Sequence, residues 1–259
     1  GIDGGELISP NLTFEAINQF ASKTMKTNVV RVPMTKEIGI DLKTTGQMVN
    51  SKTNMVYLCN PNNPTGVIMN PKELEVFCKE TSKKSIVFVD EAYHEYVMDK
   101  KYRSMVSLVN EGYDVLISRT ASKVHGLAGL RVGYAISTPK IIKRLNSYMN
   151  GSLNVVGLRG AIASYKDKRF QKFSIEKNNE GRTIVTDYLD KKGIEYLDSQ
   201  TNFIFINTGI DIKKFQPAME KHKVLVGRPF PPYTDWCRLS IAKPEEMESF
   251  NKGFNKELG

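Results

Sequence analysis

Cysteine is scarce: Cys59, Cys78 and Cys237 are the three in 259 residues, an odd set without metal-ligand spacing. That leaves neither a disulfide framework nor a thiolate zinc site, and the expectation is reduced thiols in a cytoplasmic protein. Histidine is as sparse, at positions 94, 125 and 222. No spacing among them suggests a metal, so none is expected, and His94, His125 and His222 are read as structural or solvent-facing. No apolar run approaches the roughly 18 residues that span a bilayer. The first residues carry no basic segment followed by an apolar one, so no signal peptide is read in the sequence given. Internal repeats and low-complexity segments are also missing. The formal charge of +9 raises nucleic acid as a partner, but the lysines sit in scattered pairs at 83–84, 100–101, 191–192 and 213–214. Without a recognition-helix or RNA-binding signature, no nucleic-acid partner is expected. The charge instead serves solubility and attraction for anionic substrates.

What is present suffices for a full core: 40% of the residues are apolar, enough for one large and one smaller domain. A glycine-rich opening over residues 1–8 is followed by a helix from about Thr13, with Phe14, Ile17, Phe20 and Ala21 on one face. Apolar, β-branched runs at 29–32, 55–59, 85–89, 115–117 and 132–136 read as strands. A polar connection is read up to about Lys52, and Pro71 opens a helix whose inner face is Leu74, Phe77 and Cys78. Strands alternating with helices predict an α/β fold, a mostly parallel sheet sandwiched by helices, over residues 1–138. Connecting helices are expected over 139–165, and a smaller C-terminal α+β domain over 166–259. Within the last part, helices are read at 169–191, 212–221 and 245–254, and strands at 194–197, 203–206, 224–226 and 237–241.

Polar residues cluster just past the strand ends, where such sheets hold ligands. The segment RTASKVHGLAGLRVGY, residues 119–134, follows the run at 115–117. Hydroxyls and glycine backbone N–H groups at a strand terminus suit an anion such as phosphate. A lysine held beside an arginine and screened from water loses proton affinity, so Lys123 gains a nucleophilic amine. A lysine that forms an imine next to a phosphate site suggests pyridoxal phosphate.

Four segments in order, Asn60 to Gly66, Asp90 to Tyr93, Ser118 to Arg131 and the RLS of 238–240, resemble the motifs of fold-type I pyridoxal-phosphate aminotransferases of class I/II. RTASKVHGLAGLRVGY and the C-terminal WCRLSIAKPEEM are most similar to the histidinol-phosphate aminotransferase branch. The resemblance implies pyridoxal 5′-phosphate as cofactor and transfer of an amino group from an amino acid or amino phosphate to a 2-oxo acid through a Lys123 Schiff base. Lys123 matches the Schiff-base lysine, which then acts as base and acid. Asp90 matches the aspartate that pairs with the pyridinium nitrogen, and a buried carboxylate there also calls for a cationic partner. Tyr93 and Asn63 match the pair that hydrogen-bonds the cofactor's 3′ oxygen. Arg131 matches the phosphate-binding arginine, with Thr120 and Ser122 as hydroxyl donors and Gly4 and Gly5 as the turn whose backbone N–H groups reach the same phosphate. Phe14 matches the aromatic that stacks on the ring. Arg238 matches the arginine that clamps the substrate α-carboxylate, and Asn202 and Arg228 are further candidates for substrate contacts. A homodimer with sites at the interface is implied as well.

The chain departs from this family pattern at its start. Members carry several tens of residues before the glycine-rich turn, and a helix and a strand between that turn and the match at Thr13 and Phe14. The sequence is therefore read as N-terminally shortened, with only residues 7–12 in the second gap. Two other outcomes stay open: a decarboxylase or lyase on the same scaffold, or an inactive truncated homologue that serves as a binding module.

Overall fold

The computed structural model describes residues 4–149 and 151–258, so residues 1–3 of the glycine-rich opening lie outside it. The main sheet is built from β1 (Glu6–Pro10), β2 (Asn28–Val32), β3 (Thr53–Cys59), β4 (Ile86–Asp90), β5 (Val115–Thr120) and β6 (Gly133–Ile136). Their spatial order is β2-β1-β3-β4-β5-β6. Neighbours are parallel throughout, except β5 and β6, which are antiparallel. The expected mostly parallel sheet forms.

Strand alternation sorts the side chains onto two faces. Ile8, Val56, Leu58, Val87, Val89 and Ile117 point to one, where they pack with Leu74, Phe77, Cys78 and Leu108. Leu7, Tyr57 and Cys59 point to the other, where Ala21 and Phe88 cover them. Asp90 follows Val89 and so projects on the second face, beside Cys59 of the neighbouring strand. The helix α3 (Pro71–Thr81) starts as expected, with Pro71 in its first turn and the Asn70 side chain accepting from the Lys72 and Glu73 amides. Its buried residues are Leu74, Phe77, Cys78 and Thr81.

Several expected elements differ. The residues at 6–10 form a central strand, β1, because Leu7 and Ile8 are fully buried between β2 and β3. The helix expected from Thr13 is a single α turn, α1 (Ala16–Gln19), followed by a π-helical turn at Phe20–Thr24. Phe14 precedes the helix and is 42% exposed, and the wider π turn breaks the 3.6-residue period, so Phe20 is 56% exposed while Ala21 is buried. Thr13 does not cap the helix; its hydroxyl donates to Asn62 Oδ1 at 2.9 Å. The connection before Lys52 contains α2 (Leu42–Met48), capped by Asp41, which accepts from the Thr44 amide at 2.8 Å. A short helix, α4 (Val106–Asn110), precedes β5.

After β6 come α5 (Pro139–Ser147), α6 (Val155–Lys166) and α7 (Lys168–Lys192). Gly193 ends α7 in the left-handed conformation at φ 65°, which suits glycine. The second sheet has two antiparallel strands, β7 (Phe203–Asn207) and β8 (Trp236–Ser240). The strands expected at 194–197 and 224–226 do not form. Tyr196 makes an isolated bridge to Ile206, and Val224 and Val226 pack on the core without a ladder. That core also takes in α8 (Ile212–Glu220) and α9 (Pro244–Leu258), through Phe215, Met219, Phe250 and Phe254. A smaller cluster of Leu12, Ile38, Phe205, Phe230 and Trp236 joins the second sheet to the first. It sets β8, and Arg238 on it, against the loop after β3.

Candidate active site

The parallel strands β3, β4 and β5 bring their carboxyl ends to one edge, and the chemistry collects there. Asp90 ends β4. Its Oδ1 accepts from Ser118 Oγ at 2.7 Å and from the Ala92 amide at 3.2 Å, and its Oδ2 accepts from Tyr57 Oη at 3.1 Å. Ser118 is its register partner on β5, and Tyr57 reaches it from β3 on the other side. Burial raises the Asp90 pKa above the ordinary carboxylate value, opposed by these hydrogen bonds and by Lys123. The expected cationic partner does not pair with Asp90 directly: neutral donors carry the hydrogen bonds, and Lys123 acts on it only as a nearby charge. Tyr57 and Ser118 were not singled out from the sequence. Their role depends on the register among three strands, which no local pattern encodes.

Lys123 follows β5 in a tight turn closed by the Gly126 amide donating to Lys123 O at 2.9 Å and the Leu127 amide to Ala121 O at 3.0 Å. Its Nζ lies 4.8 Å from the centroid of the Tyr93 ring. Burial, and then the Arg238 charge, lower its pKa from the ordinary lysine value. Both causes favour the neutral amine, the form that can attack a carbonyl. The arginine that acts most strongly on Lys123 is Arg238, with Arg131 a weaker influence.

Tyr93 is 4% exposed; burial raises its pKa and Arg238 opposes the rise. Asn63 Nδ2 donates to Tyr93 Oη at 3.5 Å, and Asn63 Oδ1 accepts from Arg238 Nη1 at 2.7 Å. Arg238 thereby reaches from β8 to the loop after β3. Its guanidinium lies over the rings of Phe203 and Phe230, at 5.1 and 5.4 Å, and its Nε is buried without a hydrogen-bond partner. Asp90, Tyr93, Asn63, Lys123 and Arg238 are therefore brought together.

The remaining expected residues divide. Thr120 Oγ1 accepts from the Ser122 amide at 3.0 Å and donates to Val132 O at 3.3 Å, which ties Thr120 to the Lys123 turn. Arg131 adopts a left-handed backbone at φ 55°, is exposed and donates to Ala128 O at 2.9 Å. Phe14 is exposed beside the loop after β3, to which Leu12 O and Thr13 bind through Asn62. Arg228 is exposed, with its guanidinium 4.2 Å from the Phe230 ring. Asn202 lines an open cleft of about 720 Å³ with Tyr96, Phe173, Lys177 and Lys243, and that lining includes none of Lys123, Asp90 and Arg131.

Gly4 and Gly5 require correction. They precede β1 and pack against Lys52 and Asn54 at the start of β3. In a parallel sheet that is the edge opposite Asp90, about 17 Å away along five strand residues. They cannot serve the same anion as Arg131. The strand thought to be missing before Thr13 is β1 itself, so the glycine turn is not the phosphate turn.

Glu91, next to Asp90, is fully buried. It accepts from Ser104 Oγ, from the Met105 amide at 2.9 Å and from Arg119 Nη2 at 2.8 Å. This paired charge ties the end of β4 to β5 and to α4. Among the described residues, no group of three His, Cys, Asp or Glu side chains could hold a metal ion, and no helix is long and apolar enough to cross a membrane.

Comparison with known proteins identifies the family. A sequence profile described as aminotransferase class I and II matches residues 2–252. Histidinol-phosphate aminotransferase 2 of Hydrogenovibrio crunogenus is 34% identical over 259 residues, which cover 98% of this chain and 69% of that protein. Histidinol-phosphate aminotransferase of Brevibacillus brevis is 39% identical over 188 residues, which cover 71% of this chain and 50% of that protein. The chain thus spans between half and about seven-tenths of these relatives' lengths. The crystal structure of histidinol-phosphate aminotransferase from Sinorhizobium meliloti in complex with pyridoxal-5′-phosphate superposes with a TM-score of 0.86 at 24% identity, over 98% of this chain and 71% of that one. That likeness is one of fold.

Proposed function

The chain belongs to the class I and II aminotransferases, and from that premise we propose that it moves an amino group from an amino acid or amino phosphate to a 2-oxo acid, with pyridoxal 5′-phosphate as cofactor. One observation carries this reading. A lysine amine held below its ordinary pKa, just past the end of β5, and a half-buried carboxylate at the end of neighbouring β4 share the site with a buried arginine nitrogen without a partner. That donor set fits pyridoxal phosphate: an amine for the aldehyde, an anion for the ring nitrogen, hydroxyls and a guanidinium for the phosphate.

When bound, the cofactor supplies an aldehyde and a ring that accepts an electron pair from the substrate. Lys123 Nζ would capture the aldehyde and then carry the proton lost and regained by carbon. Asp90 would hold a proton on the ring nitrogen, its orientation fixed by Ser118, Tyr57 and the Ala92 amide. Tyr93 and Asn63 would hold the ring oxygen. Thr120, Ser122 and Arg131 would hold the phosphate, and Phe14 would cover the ring. Arg238 would bind an anionic group of the donor. Arg228, over the same Phe230 ring, and Asn202 would extend recognition to the rest of it. Two guanidinium groups near one ring suit a donor such as histidinol phosphate, the substrate named by the relatives.

Arg238→Ala is expected to raise KM for the amino donor by about 10–100-fold with a smaller change in kcat, because a charge-assisted bond is lost. An unchanged KM in steady-state kinetics would remove Arg238 from the site. For the reaction itself, the purified protein is incubated with pyridoxal phosphate, histidinol phosphate and 2-oxoglutarate. Glutamate formed in step with donor consumption supports transfer; donor consumed without glutamate supports a lyase or decarboxylase instead.

A homodimer belongs to the same reading. Tyr148, Met149, Leu153, Val155 and Val156 are exposed on and between α5 and α6, a cluster of large apolar residues of the kind that marks an interface. Light scattering is expected to give twice the chain mass, and the chain mass alone would refute it. A cytoplasmic location fits three buried, unbridged cysteines, and a disulfide in protein purified without reductant would speak against it.

A further inference from the structure

His125 is 2% exposed, although polar turns ordinarily leave histidine at the surface. Its ring is held from three sides. Nδ1 lies 2.9 Å from Ser164 Oγ on α6. Nε2 lies 3.5 Å from Glu95 Oε1, too long for a good hydrogen bond, and has no closer hydrogen-bond partner. The ring packs on Tyr165, centroid to centroid 4.1 Å. Burial lowers its pKa, which favours a neutral ring that can present one N–H to the carboxylate and one lone pair to the serine.

The two partners matter because of what they are attached to. Glu95 stands two residues after Tyr93, on a short 3₁₀ turn at His94–Tyr96 whose Tyr96 amide donates to Tyr93 O at 3.0 Å. Its other oxygen, Oε2, lies 3.1 Å from His94 Nδ1, but that nitrogen is engaged with Glu91 O at 2.9 Å and Oε2 is buried without a hydrogen-bond partner, so the carboxylate has the His125 ring as a neighbour to bond. Ser164 lies near the end of α6. His125 itself lies two residues after Lys123, within the turn that the Ala121, Lys123 and Leu127 backbone bonds close. The ring therefore links the segment carrying Tyr93 to the turn carrying Lys123, and both to a helix.

We propose that His125 is a positioning residue: held between Glu95 and Ser164, it fixes the turn that presents the Lys123 amine against Tyr93. This rests on the proposed role of Lys123 and adds to it a determinant outside the residues that would touch cofactor or substrate. The turn passes through Gly126 at φ 68° and has glycines again at 129 and 133, so it has little stiffness of its own. The lysine's screening from water depends on where that turn sits. Lys123 faces the Tyr93 ring, and Arg238, Asp90, Cys59 and Arg131 act on its charge. Movement of the turn toward solvent would relieve the burial that is the largest of these effects.

The test uses protein without cofactor. Lys123 is labelled with an amine-reactive ester across a pH series, and its peptide is quantified by mass spectrometry. In wild type the labelling midpoint is expected below that of an ordinary lysine, and an ordinary midpoint would overturn the proposal. In His125→Phe and in Glu95→Gln it is expected to move up toward the ordinary value. After cofactor loading, kcat is expected to fall about tenfold with KM within about twofold, as for a small misplacement of a reacting group. If His125→Phe fails to fold, Glu95→Gln and Ser164→Ala decide. Variants that melt lower but keep the wild-type midpoint would overturn the proposal, since a purely structural histidine does that. A wild-type protein that binds no pyridoxal phosphate at Lys123, yet shows the midpoint shift in the variants, would refute the proposed function and leave the positioning role standing.

Discussion

Lys123→Ala is expected to lower kcat by at least about 10⁴-fold, because one side chain supplies both the nucleophile and the proton carrier. The visible absorbance that pyridoxal phosphate acquires on joining a protein amine should disappear with it, while the melting temperature stays near that of the wild type. The side chain is only part-buried in its turn, and the backbone bonds that close the turn do not involve its amine. Added methylamine should restore a small fraction of the rate, since an external amine can carry the same proton. Stopped assays with and without methylamine check this. A variant retaining more than about a tenth of the activity would remove Lys123 from the chemistry.

Asp90→Asn is expected to separate stability from activity. With cofactor, the loss should be about 10²–10³-fold in kcat, the scale seen when one electrostatic stabiliser is removed. Without cofactor, the variant should melt a few degrees higher than the wild type. Burial raises the pKa of Asp90 above 3.8, its unperturbed value, so the folded chain binds that proton more tightly than the unfolded chain does. Stability then falls as pH rises from 3.8 through the raised value, and at neutral pH the ionised carboxylate is a cost. The amide relieves that cost while keeping the shape. Differential scanning calorimetry of both cofactor-free proteins at neutral pH measures it. A lower melting temperature for Asp90→Asn would mean that Ser118 and Tyr57 more than offset the burial.

These residues were legible in the sequence for a physical reason. A parallel sheet collects the carboxyl ends of its strands at one edge, so a polar residue directly after a buried apolar run has a known place. Asp90, which follows the apolar run at 85–89 and ends β4, is of this kind, and Lys123 stands three residues past the end of β5 at the same edge. Arg238 was legible as the arginine within a short strand, but its reach to Asn63 was not, because it depends on how the second sheet packs on Leu12 and Ile38.

Other features could be read only in three dimensions. Gly4 and Gly5 look like an anion turn until the direction of β1 is known; the strand then carries them to the wrong edge. Phe14 and Phe20 share a helical face only if one α-helix runs from Thr13 to Ala21; α1 starts at Ala16, which leaves Phe14 outside it, and Phe20 opens a π turn. Tyr57 reads as one more apolar residue of β3, yet its hydroxyl is a direct donor to Asp90. His125 reads as a polar turn residue, and its burial follows from α6 folding back over the turn. One miss was avoidable. Asp41 followed by Leu42 and Thr44 carries a helix N-cap signal, and α2 begins there.

Sodium borohydride reduction of the cofactor-saturated protein, followed by peptide mapping, tests most directly whether Lys123 is the residue that holds pyridoxal phosphate. A stable pyridoxyl phosphate adduct on the peptide carrying Lys123, and on no other lysine, is the predicted result. An adduct on a different lysine, or none at all on folded protein, would contradict it.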